Sequence, residues 1–305
     1  MAVNMKINFA GVEMKNPVTV ASGTFGQGRE YSQFFKLSEL GAVTTKGVSA
    51  VPWDGNPGVR IAETPSGMLN SIGLQNKGVQ NMIENELPWL ETQDATVIVN
   101  IAGHSVAEYC DAIQALEDSS AKFEAYEVNI SCPNVDKGGL AFGQDPKVAA
   151  DVISHVKEIS TRPVIAKLSP NVTDITQIAL AVQEAGADAV SMINTILGMA
   201  INAEEQRADL TRIVGGLRGP AVKPVALRMV WQCYQVLDIP ILGMGGITTA
   251  SDAVEFMLAG ASAVAVGTAN FIDPKSTIKV IEGLKDYCKR HGITNISDLT
   301  GALKN

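Results

Sequence analysis

Residues 184–191 read Glu184-Ala-Gly-Ala-Asp-Ala-Val-Ser191, and the phrase returns as Glu39-Leu-Gly-Ala-Val-Thr-Thr-Lys46 and Leu258-Ala-Gly-Ala-Ser-Ala-Val-Ala265. Each copy reads as a helix end, a capping glycine and a short apolar β run. Glycine just past a helix takes the left-handed cap, and a strand that follows at once marks an αβ connection. Short strands alternating with helical stretches imply βαβ units and a parallel sheet. Working outward, apolar β runs fall at 18–21, 42–45, 96–101, 126–130, 164–166, 189–193, 241–244 and 263–266, with helical stretches at 106–117, 148–159, 175–184 and 250–258. Eight parallel strands with helices between them are the arithmetic of a (β/α)8 TIM barrel. Residues 47–95 are too long for one loop and one helix, so the spacing predicts an insertion after the second strand. The rival, a doubly wound sheet, wants a glycine-rich first turn, and Gly23-Thr-Phe-Gly-Gln-Gly28 has the wrong spacing for it. No linker or low-complexity segment interrupts the chain, so 1–305 reads as a single barrel domain.

Composition narrows the function. Hydrophobic residues make up 46% of 305, enough for a large core, and the net charge of −8 argues against a nucleic-acid surface. No apolar run reaches about eighteen residues, so a membrane span is not expected. The N-terminal stretch lacks the build of a signal peptide. Cys110, Cys132, Cys233 and Cys288 form no CxxC pair, which speaks against a disulfide framework, a zinc site or an iron–sulfur cradle in this chain. A cytoplasmic setting is expected.

Barrel enzymes build their chemistry at the C-terminal ends of the strands. Following each run gives Ser22, Lys46-Gly47, Asn100, Asn129 with Cys132 beyond it, Lys167, Asn194-Thr195, Gly245-Gly246 and Gly267-Thr268. The glycines after the seventh and eighth strands suit a phosphate held by backbone N–H groups; taken singly, each is equally a tight turn. Lys46 and Lys167 read either as cations serving an anion or an amine nucleophile, or as solvated strand ends. The strand-end asparagines, with Asn70 in Asn70-Ser-Ile-Gly-Leu-Gln-Asn76, either match an amide-rich ring or cap loops. Of three histidines, His155 and His291 fall on surface stretches, and His104 follows the third strand. No HExxH, His cluster or carboxylate pair appears, so no metal is assigned. Cys132 is then the leading base or nucleophile, against a plain reading as a small buried residue.

The stretch Asn129-Ile-Ser-Cys-Pro-Asn-Val135, followed by Gly138-Gly139 and Phe142-Gly143, resembles the catalytic loop of cysteine-type dihydroorotate dehydrogenases. Thr45-Lys-Gly47, Asn70-Ser-Ile-Gly-Leu74, Ala166-Lys167-Leu-Ser-Pro170, Asn194-Thr195, Gly215-Gly-Leu-Arg-Gly-Pro-Ala-Val-Lys-Pro224 and Gly243-Met-Gly-Gly-Ile247 follow in family order over nearly the whole chain. Lys137-Gly-Gly and residues 217–228 are most similar to the class 1B catalytic subunit. The resemblance implies oxidation of (S)-dihydroorotate to orotate on FMN, with Cys132 removing the C5 proton and C6 giving hydride to flavin N5. It implies flavin contacts at Ser22, Lys46, Gly47, Asn100, Asn129, Ile193 and Gly219, with Lys167 at the N1/O2 edge. Gly245, Gly246, Gly267 and Thr268 would surround the phosphate. Substrate would be held by Lys46, Asn70, Ser71, Ile72, Gly73, Leu74, Asn129, Asn194 and Thr195, under a lid formed by residues 133–143. It further implies a homodimer core and a partner subunit carrying FAD and a [2Fe–2S] cluster that passes electrons to NAD+. Readings that stay open are a fumarate-linked enzyme without a partner, a flavoprotein reductase of another pyrimidine, and a Schiff-base lyase using Lys46 or Lys167.

Overall fold

The computed structural model describes residues 2–131 and 142–304. Its centre is a parallel sheet of β1 (Val18–Val20), β2 (Val43–Thr44), β3 (Val97–Ile101), β4 (Ala125–Asn129), β5 (Val164–Lys167), β6 (Ala189–Met192), β7 (Ile241–Met244) and β8 (Ala263–Val266). The order is β1-β8-β7-β6-β5-β4-β3-β2, so each strand neighbours the next in sequence. At the two ends of that order the Gly41 N–H donates to the Val18 carbonyl at 2.8 Å, and the Thr19 and Thr44 hydroxyls pair at 3.0 Å. The sheet therefore curls into the (β/α)8 barrel that the repeated phrase predicts. Its strands are buried on both faces, which is why they read as unbroken apolar runs rather than as alternation.

Around it lie α1 (Val106–Glu117), α2 (Pro146–Ile159), α3 (Ile175–Glu184), α4 (Lys223–Tyr234), α5 (Ala250–Leu258) and α6 (Ser276–His291). α2 shows why these segments are helical. Asp145 caps it by accepting the Lys147 and Val148 N–H groups, Pro146 occupies the first turn, and Ala149, Val152, Ile153 and Val156 fall on one buried face. Burying a side chain such as Ile153 stabilises the fold by about 1.5–3 kcal/mol.

The three copies of the phrase use their glycine differently. Gly186 and Gly260 take φ of +96° and +122°, the conformation expected past a helix. Gly41 follows only a 3₁₀ turn, Leu37–Glu39, and lies outside that region. A Cβ there would stand 2.1 Å from the Asn16 carbonyl, so close approach demands the glycine.

The insertion expected after β2 is present, and a second one follows β6. Ile61–Thr64 and Gly67–Asn70 from the first join Ile196–Met199 and Val214–Arg218 from the second in a four-stranded antiparallel sheet. An N-terminal hairpin, Ile7–Phe9 and Val12–Met14, lies apart from both sheets. Among the described residues no helix is long and apolar enough to cross a membrane.

Candidate active site

A cavity of about 550 Å³ is lined by the C-terminal strand ends on one side and the four-stranded sheet on the other. From the barrel come Ser22, Lys46, Asn129, Lys167, Ile193, Asn194 and Thr195. From the insertions come Asn70, Ser71, Ile72, Gly73, Leu74 and Gly219; the glycine turns after β7 and β8 add Gly245, Gly246, Gly267 and Thr268. Residues spread from 22 to 268 thus share one chamber because every barrel strand points its C-terminus the same way.

Two of the anticipated site residues do not line this chamber. Asn100 is fully buried beneath it, and Gly47 faces a neighbouring cleft with Trp53 and Lys77, to which Lys46 is common. They touch each other: a Cβ on Gly47 would lie 2.7 Å from Asn100 Oδ1. Cys132 and residues 133–141 of the expected lid lie outside the described residues, although the flanking Ser131 and Gln144 both line the chamber. His104 stacks on Trp53 with ring centroids 3.9 Å apart and does not line the chamber.

The polar wall is well ordered by its own hydrogen bonds. Asn129 Oδ1 accepts from Asn194 Nδ2 at 3.1 Å and from the Ser131 N–H at 3.2 Å, and the Asn129 carbonyl accepts from the Tyr109 hydroxyl at 2.7 Å. Asn194 Oδ1 accepts the Thr195 N–H at 2.8 Å. Asn70 Nδ2 donates to the Gly216 carbonyl at 3.0 Å, tying the two insertions together at the chamber edge. Gly246 and Gly219, at φ of +79° and +102°, meet where a Cβ on Gly246 would lie 3.0 Å from the Gly219 carbonyl. Side chains are excluded there, and bare backbone faces the chamber.

Three cations converge on it. Lys167 is almost wholly buried, and its Nζ donates to Ser22 Oγ at 3.0 Å and to Glu127 Oε2 at 3.3 Å. Lys46 has no carboxylate partner among the described residues. Burial, and then the nearby charges of Arg218, Lys167 and Arg60, lower its pKa to about 8. Arg218 donates from Nη1 to the Gly23 carbonyl at 3.2 Å, its buried Nε has no partner, and burial lowers its pKa to about 10. Lys46 and Arg218 therefore present an excess of positive charge, which suits anionic ligands.

Sequence reasoning missed Glu127 and Arg218. The signal for Glu127 was a carboxylate inside an otherwise buried strand, which demands partners. Arg218 gave no such signal, because its role depends on Gly23, 195 residues away. Among the described residues no group of three or more His, Cys, Asp or Glu side chains could hold a metal ion.

Residues 4–288 match the family model described as dihydroorotate dehydrogenase. The chain is similar to proteins named dihydroorotate dehydrogenase B (NAD(+)), catalytic subunit. That of Alkaliphilus metalliredigens is 54% identical over 301 residues, covering 99% of both chains. Those of Lachnoclostridium phytofermentans and Bacteroides thetaiotaomicron are 53% and 50% identical, over 99% of this chain and 100% and 99% of their own. With its barrel, its strand-end chamber and a match spanning nearly its full length, the chain belongs to the dihydroorotate dehydrogenase family.

Proposed function

We propose that this chain is the catalytic subunit of an NAD-linked dihydroorotate dehydrogenase, oxidising (S)-dihydroorotate to orotate in pyrimidine biosynthesis. The observation that carries the reading is a single chamber uniting two lysines, an amide-rich wall and bare glycine turns, in a chain half identical over its length to relatives of that name. The whole of 1–305 would work as one barrel domain.

FMN is the proposed cofactor, one per chain, and when bound it supplies the acceptor for the hydride leaving C6. The residues present fit it: backbone at Gly245, Gly246, Gly267 and Thr268 faces the chamber where a phosphate could be held, and the volume of about 550 Å³ leaves room for a flat ring beside it. Ser22, Asn129, Ile193 and Gly219 would surround that ring, with Lys167 at its N1/O2 edge, and Gly47 and Asn100, which do not line the chamber, would support it from behind that wall. Asn129, Asn194, Thr195 and residues 70–74 would hold the pyrimidine by paired donors and acceptors, and Lys46 would attract the carboxylate. Cys132 would break the C5–H bond and take the proton onto Sγ. A free thiol has a pKa of about 8.5, so a cation drawn beside it would serve to raise the thiolate fraction.

The assembly we propose is a homodimer core bound to a subunit carrying FAD and a [2Fe–2S] cluster, with NAD+ as final acceptor. Ile61 and Met199, exposed apolar side chains of the four-stranded sheet that do not line the chamber, support the dimer. We place it in the cytoplasm, where free thiols such as Cys110 stay reduced.

The test is dihydroorotate oxidation by the purified chain, alone and with the partner subunit. Flavin absorbance and NAD+ reduction only with the partner are expected. Efficient turnover with fumarate alone would overturn the NAD-linked assignment, and a borohydride-trapped lysine adduct without flavin would replace it with a Schiff-base lyase. Cys132→Ala is expected to retain flavin and lose turnover by at least about 100-fold, the scale of general acid–base catalysis.

A further inference from the structure

Glu127 is completely buried in the middle of β4, yet it is not an isolated charge. Its carboxylate collects three donors from three other barrel strands. Asn100 Nδ2 on β3 donates to Oε2 at 2.5 Å, Lys167 Nζ on β5 reaches the same oxygen at 3.3 Å, and Ser191 Oγ on β6 donates to Oε1 at 2.7 Å. All three neighbours donate, so the group acts purely as an acceptor, as an ionised carboxylate does. It does not line the chamber, whereas Lys167 does.

Two consequences follow at the chamber. The carboxylate and Ser22 together hold the Lys167 ammonium in the wall, so the cation presented there has a counter-ion directly behind it. The bond from Asn100 Nδ2 also fixes which end of that amide faces away, leaving Oδ1 over Gly47. A buried lysine needs a partner, but a plain packing role would be met as well by apolar residues of similar size. What an apolar replacement cannot do is set how much of the Lys167 charge is felt in the chamber.

We propose that Glu127 is a positioning residue that orients Lys167 and offsets its charge, and thereby tunes the reduction potential of the flavin. This rests on the FMN reading above. A cation beside the flavin favours its reduced, anionic form, and the carboxylate behind it works in the opposite direction.

The test is the two-electron midpoint potential of the bound flavin in the holoenzyme at one fixed pH. Glu127→Gln keeps the shape and removes one charge, so the potential should rise by about 30 mV, a tenfold change in a two-electron equilibrium. Glu127→Asp keeps the charge and should shift it less. Lys167→Met should lower the potential, and Glu127→Gln combined with Lys167→Met should return it towards wild type, because the pair is again neutral. Should Glu127→Gln lose its flavin, the comparison of Lys167→Met with the double variant carries the same expected rise. An unchanged or lowered potential on removing the carboxylate would overturn the inference and leave Glu127 a packing residue. Wild-type protein that takes up no flavin at all would instead remove the FMN reading, and this inference with it.

Discussion

Lys46 shows how much one side chain's state depends on its surroundings. Burial, followed by the charges of Arg218, Lys167 and Arg60, brings its pKa down to about 8, so the ammonium sits within reach of deprotonation in mildly alkaline solution. An anion binds the protonated form better, so orotate affinity should fall as pH rises through about 8. Arg218→Gln removes the first of the repelling charges, which raises the Lys46 pKa and should move that inflection upward. Lys46→Met should flatten the dependence and weaken binding by at least about tenfold, in line with the worth of a hydrogen bond to a charged group; calorimetric titration with orotate from pH 6 to 10 checks all three. The cysteines make a complementary point. Cys233 and Cys288 have no exposure, and burial pushes the Cys233 thiol up to about 12.

Among the elements, the start of α5 couples helix capping to the glycine turn of the chamber. Thr249 Oγ1 caps the Asp252 N–H, and the Asp252 carboxylate accepts from Thr248, Thr249 and Lys223 Nζ, the last at 2.6 Å. Burial alone would raise the Asp252 pKa, but Lys223 and the threonine donors outweigh it and hold the carboxyl well below the usual range. A depressed carboxylate pKa contributes stability that is present above the unfolded value and lost as pH falls through the folded one. Asp252→Asn should therefore cost roughly 2 kcal/mol at neutral pH, and the gap from wild type should narrow progressively as pH falls below about 4; denaturant melts at several pH values measure it. Lys223 also backs the chamber, since a Cβ on Gly246 would lie 2.8 Å from the Lys223 Cβ. Gly246→Ala adds that overlap to a left-handed backbone costing about 1–2 kcal/mol. It should weaken flavin retention more than it lowers Tm, as read by flavin fluorescence after gel filtration.

At the scale of the molecule, the barrel and the four-stranded sheet divide the labour. The barrel, whose two end strands are joined through the Gly41 N–H and the Val18 carbonyl, supplies the ring of strand ends, while the sheet covers the mouth and exposes apolar side chains. Ile61 and Met199 on that sheet are each at least half exposed and do not line the chamber, whereas the exposed Leu197 and Val214 belong to its rim. Apolar residues concentrated on one face mark an interaction site rather than scattered surface. Ile61→Glu with Met199→Glu should shift the chain to a monomer in light scattering while it keeps its fold by circular dichroism. A dimer that persists at micromolar concentration would place the subunit contact elsewhere.

The strand ends were legible from the sequence because they depend on local pattern. An apolar run, a glycine beyond a helix and the residue that follows the run need only near neighbours, and the parallel barrel then sends all such residues to one mouth. Local pattern alone therefore determined the barrel, the lysines and asparagines of the chamber, and the glycine turns. Other features depend on residues far apart in the chain. The second insertion becomes a roof only by pairing with the first, as in Leu217 opposite Leu69. Glu127 acquires its meaning from Asn100, Lys167 and Ser191 on three other strands, and Arg218 from Gly23. No local periodicity encodes those meetings; closure of the barrel and pairing of the insertions decided them.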